Sequence, residues 1–335
     1  MEITEIGLLA IKAESAYGTD PTPAVGANLI PAARDSITYE VASTAVKRKA
    51  LDGTMGMQPG FNALPNVTLK FRYELRGNRT DGVVADISAG ASAQKVEIDP
   101  ILQAANLDPT YTAETTVGGR NGYVIYKPKS YTTEGPSVTA YWWSALKLHK
   151  LFGGKVDLSM TWEAGQMVLM DVTIRGKYGV PVDTTFPTSG LSFLATKPQM
   201  FEGGAVGLDV TAPPFRRAQF DLANQIAMRA NPVDSTGVAG FIITGRDSKG
   251  SVNFESVTEA AHPIFADWLV SKRKPFGVTM PSGSGVSGNR LDLQVGAELK
   301  SINYQNQDGQ RVHDAQFDIV QTAFGDNTDL ALKFY

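Results

Sequence analysis

The sequence predicts a mainly β protein of the β-sandwich or barrel-like kind, built from two tandem copies of one sheet-and-helix module. Three observations predict it: apolar and polar residues alternate along many segments, helical patterns are few and short, and both halves share one order of segments. The composition agrees, because 33 glycines and 18 prolines favour turns while 42% hydrophobic residues suffice for a packed core.

Period-two alternation is clear in two stretches of the first half. From residue 67 to residue 75 every second residue is apolar, and most of the residues between them are charged. This pattern predicts a strand with one face in the core and the other in solvent, as in an antiparallel sheet. Residues 156–174 alternate in the same way around a break at residues 164–166, which predicts a hairpin.

A second hairpin is predicted near the C-terminus. Residues 291–299 alternate, and the parity then slips before Ile302, as one extra residue in a β-bulge requires. Asp308 and Gly309 form the predicted turn of this hairpin. The apolar residues 330–335 are expected to pair as an edge strand, with docking in an interface as the alternative.

Only two short helices are predicted. Asp99 is expected to cap a helix whose first residue is Pro100, because proline needs no hydrogen-bond donor at that position. A second helix is predicted to start near Pro263 and to end before Pro275. Its apolar residues recur at helical spacing and are expected to face the core: Ile264, Phe265, Trp268 and Leu269.

The two halves contain similar segments in the same order. Residues 36–56 resemble residues 218–240: each is a predicted strand with basic residues near its end, followed by a loop rich in Gly, Thr and Asp. A strand and a short helix follow in each half, and the last hairpins share the pattern Gly-Gln-x-Val at residues 165–168 and 309–312. This order indicates a duplicated module with one sheet and one short helix.

The length fits two modules, because 335 residues exceed what one hydrophobic core usually organises. We expect an N-terminal module with an extended arm over residues 1–187 and a C-terminal module over residues 188–335. The joint between them falls within residues 183–214, which contain four prolines and several glycines.

Charge and composition exclude several classes of function. The formal net charge of −3 gives no broad basic surface, so tight binding to phosphate backbones is not expected. The chain has no cysteine, which excludes disulfides and fits folding in a reducing cytoplasm. Residues 6–11 form an apolar run too short for a signal peptide, and no stretch approaches the roughly 18 apolar residues of a membrane span, so no membrane insertion is expected.

No pattern for catalysis, cofactor binding or metal binding is present in the sequence. His149, His262 and His313 are far apart and lack the close spacing of metal ligands. The glycines of residues 283–288 fit a GxGxxG pattern, but they precede a predicted strand instead of the helix that a dinucleotide requires. We therefore expect a protein that is not an enzyme and that has no cofactor.

Four segments carry a resemblance to a known family. Residues 14–23 (ESAYGTDPTP) look like the opening of tail tube proteins from siphophages and prophages. Residues 164–181 (AGQMVLMDVTIRGKYGVP) add to this match. Residues 220–229 (FDLANQIAMR) and 240–245 (GFIITG) are similar to the second half of tail tube proteins with two modules. The chain thus resembles the major tail protein of long-tailed, non-contractile bacteriophages.

The resemblance implies a structural protein of the virion tail, assembled in the cytoplasm of the host bacterium. Copies of the chain would form stacked rings, and a chain with two modules would need three copies for a pseudo-sixfold ring. The implied partners are further copies of the chain, a tape measure protein in the lumen, a tail terminator, and baseplate or distal tail proteins. Double-stranded DNA would pass without specific binding, which requires an acidic or weakly charged lumen in which Lys70, Arg72 and Arg76 face outward or pair with acids.

The loop over residues 49–62 is the candidate contact between rings, because the family places such a contact just before its first long strand. It is apolar for a loop, and flexible methionines and an aromatic anchor suit a partner surface. The candidate residues are Met55, Met57, Pro59 and Phe61. The alternative is that this loop folds its Met and Phe side chains onto its own core.

The N-terminal arm is a second candidate contact. Pro21 and Pro23 fix an extended path after Tyr17, and the arm is expected to cross to a neighbouring subunit. An ordered lid on its own module is the alternative. The adjacent Trp142 and Trp143 point to opposite faces of a strand, and the outer one is expected to contact a neighbour.

Two other classes of protein fit a β-rich chain. The main alternative is a β-sandwich adhesin or carbohydrate-binding surface protein, which would require an export signal that this sequence lacks. A β-rich hydrolase is a further alternative, and it would require a deep cleft with perturbed carboxylic acids.

Overall fold

The computed structural model describes residues 7–50, 55–77, 96–112, 123–129, 135–194, 197–208, 213–280, 289–321 and 327–334. Within these residues the protein is mainly β, as the sequence predicts, with 17 strands and two helices of six residues each. The GxGxxG pattern of residues 283–288 lies outside the described residues.

The first half contains eight strands and one helix. They are β1 Leu8–Ala13, β2 Thr38–Val46, β3 Phe61–Glu74, α1 Asp99–Ala104, β4 Leu107–Thr112, β5 Tyr123–Pro128, β6 Val138–Trp143, β7 Lys147–Glu163 and β8 Leu169–Asp183. The second half contains nine strands and one helix. They are β9 Ala205–Leu208, β10 Phe215–Asp221, β11 Asn224–Ala230, β12 Val238–Arg246, β13 Lys249–Glu255, α2 Ile264–Leu269, β14 Arg273–Thr279, β15 Leu291–Gln307, β16 Gln310–Ile319 and β17 Leu330–Phe334.

The predicted hairpins are confirmed. Strands β7 and β8 pair on either side of the turn at residues 164–166, and β15 and β16 pair across Asp308 and Gly309. Both turn residues of the second hairpin have a positive φ, which suits a tight turn. The pairing of β15 with β16 shifts register between Leu299 and Ser301, so the predicted bulge is confirmed as well.

The strands of both halves pair in the same order. In the first half the order is β1-β6-β7-β8-β3-β2, and in the second it is β9-β14-β15-β16-β13-β10, with antiparallel neighbours throughout. In both orders the helix lies in the chain between corresponding strands. Strands β4, β5, β11, β12 and β17 are outside this common order. A tandem duplication would account for the common strand order, and the duplication stays a prediction.

The two halves form one continuous sheet. Strand β10 of the second half pairs with the end of β7, from Ser159 to Glu163. Strand β17 pairs on one side with β15 and on the other with β5 of the first half. The expected edge strand at residues 330–335 is therefore wrong in one respect, because β17 has a neighbour on both sides.

The alternating residues of the long strands form the core. On β3 the inward residues Val67, Leu69, Phe71 and Tyr73 are at most 2% exposed, and Trp162 of β7 is fully buried. The polar residues between them lie on the opposite face of the sheet, as period two requires. Each half thus has one apolar face and one polar face.

Both helices differ in detail from the prediction. Asp99 is the first residue of α1 and does not cap it; its buried carboxylate accepts hydrogen bonds from the Tyr126 hydroxyl and from Gln103. In α2, Ile264 is buried as expected, but Trp268 is 43% and Leu269 76% exposed. Helix α2 is too short for its last turn to reach the core, so the predicted apolar face is wrong at its C-terminal end.

Candidate assembly surfaces

The segment joining β2 to β3 is exposed at every described residue except the half-buried Gln58. Every residue of β2 except Tyr39 is exposed, although Val41 and Val46 are apolar. We call residues 43–65, which comprise the outer parts of β2 and β3 and the loop between them, the β2–β3 arm. Exposed apolar residues in one contiguous segment are typical of a partner contact.

The candidate residues of the loop are all exposed. Met55 is fully exposed, Met57 is 85% and Phe61 63% exposed, and Pro59 is exposed too. The alternative in which these side chains fold onto their own core is therefore wrong. The ring-to-ring contact itself stays a prediction.

The arm also carries three consecutive basic residues. Lys47, Arg48 and Lys49 are exposed, and none of them forms an ion pair with another described residue. Charges of one sign in a row repel each other and favour an acidic partner. The arm thus combines an apolar tip with a cationic stem.

The corresponding segment of the second half is the hairpin β11–β12, and it is packed on the first half. Asn224 donates its backbone N–H to Asp157 Oδ1 at 2.7 Å and its side-chain amide to the carbonyl of Val156 at 2.9 Å. At the hairpin turn, Lys177 Nζ donates to Asp234 Oδ2 at 2.6 Å, and this contact lowers the pKa of Asp234 to about 2. The hairpin thus covers part of the polar face of β7 and β8.

The N-terminal arm is packed against its own chain. The Tyr17 hydroxyl donates to the Gly153 carbonyl at 2.8 Å and accepts the backbone N–H of Phe241 at 2.6 Å, so it joins β7 to β12. The Pro21 carbonyl accepts a hydrogen bond from Lys12, and Pro23 is buried. These contacts agree with the alternative of an ordered lid on its own chain. The expected crossing to a neighbouring subunit stays a prediction.

Glu14 fixes the start of this arm, a role that no sequence pattern predicts. Its buried carboxylate accepts four hydrogen bonds: Oε1 from Thr139 and the Gly153 N–H, Oε2 from Ser137 and the Gly18 N–H, at 2.5 to 2.7 Å. Four donors replace the hydration that the carboxylate loses on burial.

Strand β15 has a segment without a neighbour on one side. Strand β14 pairs with β15 only as far as Glu298, and β16 pairs along the other side to Gln307. Beyond Glu298, Trp268 Nε1 donates to the carbonyl of Lys300 at 2.9 Å. No described strand pairs with residues 303–307 on that side, and Tyr304 is 58% exposed. Strand β2 likewise pairs only with β3 among the described strands.

The polar face of the sheet has paired charges. Arg72 donates to Asp171 at 2.8 Å, and Lys70 lies 3.6 Å from Glu40. The third cation, Arg76, lies 3.2 Å from Glu97 at the sheet border. Lys70, Arg72 and Arg76 are therefore all paired with acids. Such pairing is what a weakly charged lumen would require of these three cations.

The two adjacent tryptophans are both packed within the chain. Trp143 is 7% exposed, and Trp142 is partly buried and stacks on His149 with 4.9 Å between ring centroids. Tyr39 completes this cluster at 5.7 Å from Trp142. The two side chains lie on opposite faces of β6, as expected, since they pack in different apolar clusters. The expected contact of the outer tryptophan with a neighbour stays a prediction.

His262 and His313 are buried under α2. His262 is 4% exposed, and its pKa is lowered by burial and by Lys274. His313 is 3% exposed, and burial lowers its pKa too. The described residues contain no group of three His, Asp or Glu side chains placed to hold a metal ion.

Perturbed carboxylic acids in the described residues have structural partners. Burial raises the pKa of Asp157, but this carboxylate accepts the Asn224 N–H that holds the hairpin β11–β12 in place. Burial also raises the pKa of Glu97, which is paired with Arg76.

At six residues each, α1 and α2 are too short to cross a membrane.

Neither the models of protein families nor the curated proteins contain a match to this chain. The resemblance to tail tube proteins therefore depends on the residues quoted above. Strand β2 and the end of β15 have edges without a strand neighbour in the described part of the chain, and together with the exposed arm they suit contacts between copies.

Proposed function

We propose that this chain is a structural subunit that polymerises through its sheet edges into stacked rings, forming the tail tube of a long-tailed bacteriophage. The observation that carries the proposal is the common strand order of the two halves, which are already joined edge to edge by β10 and β7. A repeat of that joint between chains would continue the sheet through further copies. The resemblance supplies the identity of the polymer.

The unpaired edges favour such a polymer. Strand β2 lies at one end of the sheet path, and the end of β15 lies in the other half, so the two edges differ. A contact between two different surfaces is head-to-tail and gives either a closed ring or an open filament. With two modules per chain, three copies make a pseudo-sixfold ring.

The part of the polar face that the hairpin β11–β12 and the arm leave uncovered suits the lumen of such a tube. Its cations Lys70 and Arg72 are paired with acids, so this face does not present a row of free positive charges to DNA. A duplex held by many phosphate contacts would be retained, and a conduit must release it. We further propose that the chain contacts a tape measure protein, a tail terminator and baseplate or distal tail proteins.

Electron microscopy and mass measurement of the purified protein test this function. We expect hollow tubes of stacked rings, and native mass spectrometry of released rings should give three chains per ring. Six chains per ring would contradict the role of the two halves as equivalent modules. A protein that stays monomeric at high concentration, and in the presence of a tail initiation complex, would contradict the proposed function as a whole.

A further inference from the structure

We call the pairing of β10 with β7 the internal joint. It is a template for the contact between chains, because each row of paired residues in the first half has a counterpart in the second half. Across the first half one row of paired residues runs Thr38, Lys70, Thr173, Asp157. Across the second half the row Gln219, Ser251, Gln316, Ser301 occupies the same strands.

Two features fix the equivalence of these rows. Asp157 and Ser301 stand at the same distance from the last residues of their strands, Glu163 and Gln307. The chain between the first two residues of each row is also of equal length, over residues 38–70 and 219–251. Hence β2 corresponds to β10, and the β2–β3 arm corresponds to the hairpin β11–β12.

The joint within the chain pairs Gln219 with Thr161 of β7. The residue of β15 that corresponds to Thr161 is Gln305, which lies in the segment without a neighbour. The residue of β2 that corresponds to Gln219 is Thr38, on an edge that is also unpaired among the described strands. The same joint can therefore form between chains with Thr38 opposite Gln305.

Exposed apolar side chains match this joint. Val41 is 55% exposed on β2, and its counterpart Leu222 is 2% exposed, with its N–H donated to the carbonyl of Leu158. Tyr304 is 58% exposed on β15, and its counterpart Met160 is 4% exposed. Val41 is aliphatic and Tyr304 is aromatic, and each is exposed at the position where its counterpart is buried against the neighbouring half, so a second copy is the occupant that fits.

We infer that successive copies repeat the internal joint, so that residues 36–40, at the start of β2 in one copy, pair antiparallel with residues 303–307 of β15 in the next, with Thr38 opposite Gln305. The inference rests on the proposed function, since it names the contact from which the polymer is built. It makes the polymer head-to-tail and fixes its register, since a slip of one residue would set Val41, on the core side of β2, opposite a residue of the polar face.

The β2–β3 arm then lies across the polar face of the neighbouring β15 and β16. In the template, β11 and β12 border a groove floored by Asp157, Thr173 and Arg175. The corresponding floor in the second half is Ser301, Gln316 and Asp318, and it has an open groove of about 390 Å³ beside it. Asp318 stands where the first half has Arg175, and its carboxylate lies 3.4 Å from Lys300 Nζ.

This placement assigns the arm to a neighbour in the same ring. The register of β2 with β3 shifts between Ala42 and Thr44, and Leu64 has a φ of +53°, so the arm has an irregularity near its base. The template bends at the corresponding place, where Ala223 has a φ of +50° between β10 and β11. The contact between rings that the resemblance implies would then need other residues.

Cysteine pairs test the register, because the natural chain has no cysteine. The test variant carries Thr38→Cys and Gln305→Cys in one chain. A matched control carries Gln219→Cys and Thr161→Cys, which are opposite each other within the chain. A second control combines Thr38→Cys with Thr161→Cys, which the inferred joint does not bring together. All three are oxidised after assembly and separated on non-reducing gels.

We expect the test variant to give covalent dimers and trimers, the first control to give an internally linked single chain, and the second control to give no link between chains. Tubes that form without a link between chains in the test variant, while the first control is linked, would overturn the register and leave the tube function intact. Linked trimers without tubes would support the register and contradict the tube. Chains that neither assemble nor link would contradict both.

Discussion

At the scale of single residues, the N-terminal arm depends on two side chains that connect distant parts of the chain. Glu14 gathers donors from its own arm, from β6 and from β7. Tyr17 connects β7 with β12, which belong to different halves. Tyr17 therefore helps to hold the hairpin β11–β12 on the first half, together with Asn224 and the Lys177–Asp234 pair.

Replacement of Glu14 by Gln should lower the free energy of unfolding by about 1.5 to 3 kcal/mol. Either orientation of the amide places an NH₂ group opposite a backbone N–H, from Gly153 or from Gly18. A backbone N–H cannot accept a hydrogen bond, so one of the four bonds is lost. Urea unfolding followed by tryptophan fluorescence measures the change. Glu40→Gln is the control, because Glu40 is exposed and should change stability little. Equal losses in both variants would contradict the role of Glu14.

Replacement of Tyr17 by Phe should loosen the hairpin β11–β12. The buried Phe241 then loses the acceptor of its N–H, which costs about 1 to 3 kcal/mol. Hydrogen exchange of the Phe241 amide should become faster, with β15 unchanged. Tyr178→Phe serves as the control, since no hydrogen bond joins the Tyr178 hydroxyl to a residue in the described ranges. Unchanged exchange at Phe241 would show that other contacts hold the hairpin.

At the scale of elements, alternation and turn residues predicted the long hairpins and the bulge, because these features depend on neighbours in sequence. The packing of β11–β12 on the first half was not predicted, since it depends on a long-range contact such as Lys177 with Asp234. The inner position of β17 was missed for the same reason. The exposure of Trp268 was missed because helical spacing gives a direction but not the end of the core.

The two histidines buried beside α2, His262 and His313, should make the second half sensitive to acid. The folded pKa of His262 is below its ordinary value of 6.5, because burial and Lys274 disfavour its charged form, and the opposing acids Asp267 and Glu259 are the weaker influences. The unfolded chain therefore binds the proton more readily, and stability falls as the pH drops below 6.5. His313 adds to the effect, since burial lowers its pKa too.

Urea unfolding between pH 7.5 and pH 5 measures this dependence, in a range above the ordinary pKa of the carboxylates and around that of histidine. His262→Phe keeps a ring beside Phe254 and should flatten the slope, with further flattening in the double variant His262→Phe, His313→Phe. A slope that stays the same in both variants would assign the acid sensitivity to other groups.

At the scale of the whole molecule, the chain is a sheet in which β10 and β7 are paired with each other, while the corresponding edges of β2 and β15 have no strand neighbour among the described residues. The hairpin β11–β12 of the second half packs on the first half, while the β2–β3 arm of the first half is exposed to solvent. A monomer with this asymmetry leaves an edge, an apolar arm and a matching groove exposed together. Natural sheets usually protect such edges, so an exposed pair of edges favours polymerisation over a solitary subunit.

The exposed arm is a point at which the proposed assembly should be weakened without unfolding of the subunit. The double variant Met57→Asp, Phe61→Asp should raise the concentration needed for assembly on the order of tenfold or more, because anchoring apolar side chains carry a large share of interface energy. Its thermal unfolding as a monomer should be unchanged, since Met57 and Phe61 are 85% and 63% exposed.

Val233→Asp is the matched control, because Val233 is 88% exposed but lies on the hairpin whose joint is already made within the chain. Sedimentation across a concentration series compares the three proteins. Loss of assembly in the arm variant alone would assign the arm to a contact between copies, since both substitutions place charge on exposed apolar positions. An equal loss in the Val233 variant would mean that any added charge prevents polymerisation, and assembly unchanged in all three would remove the arm from the interface.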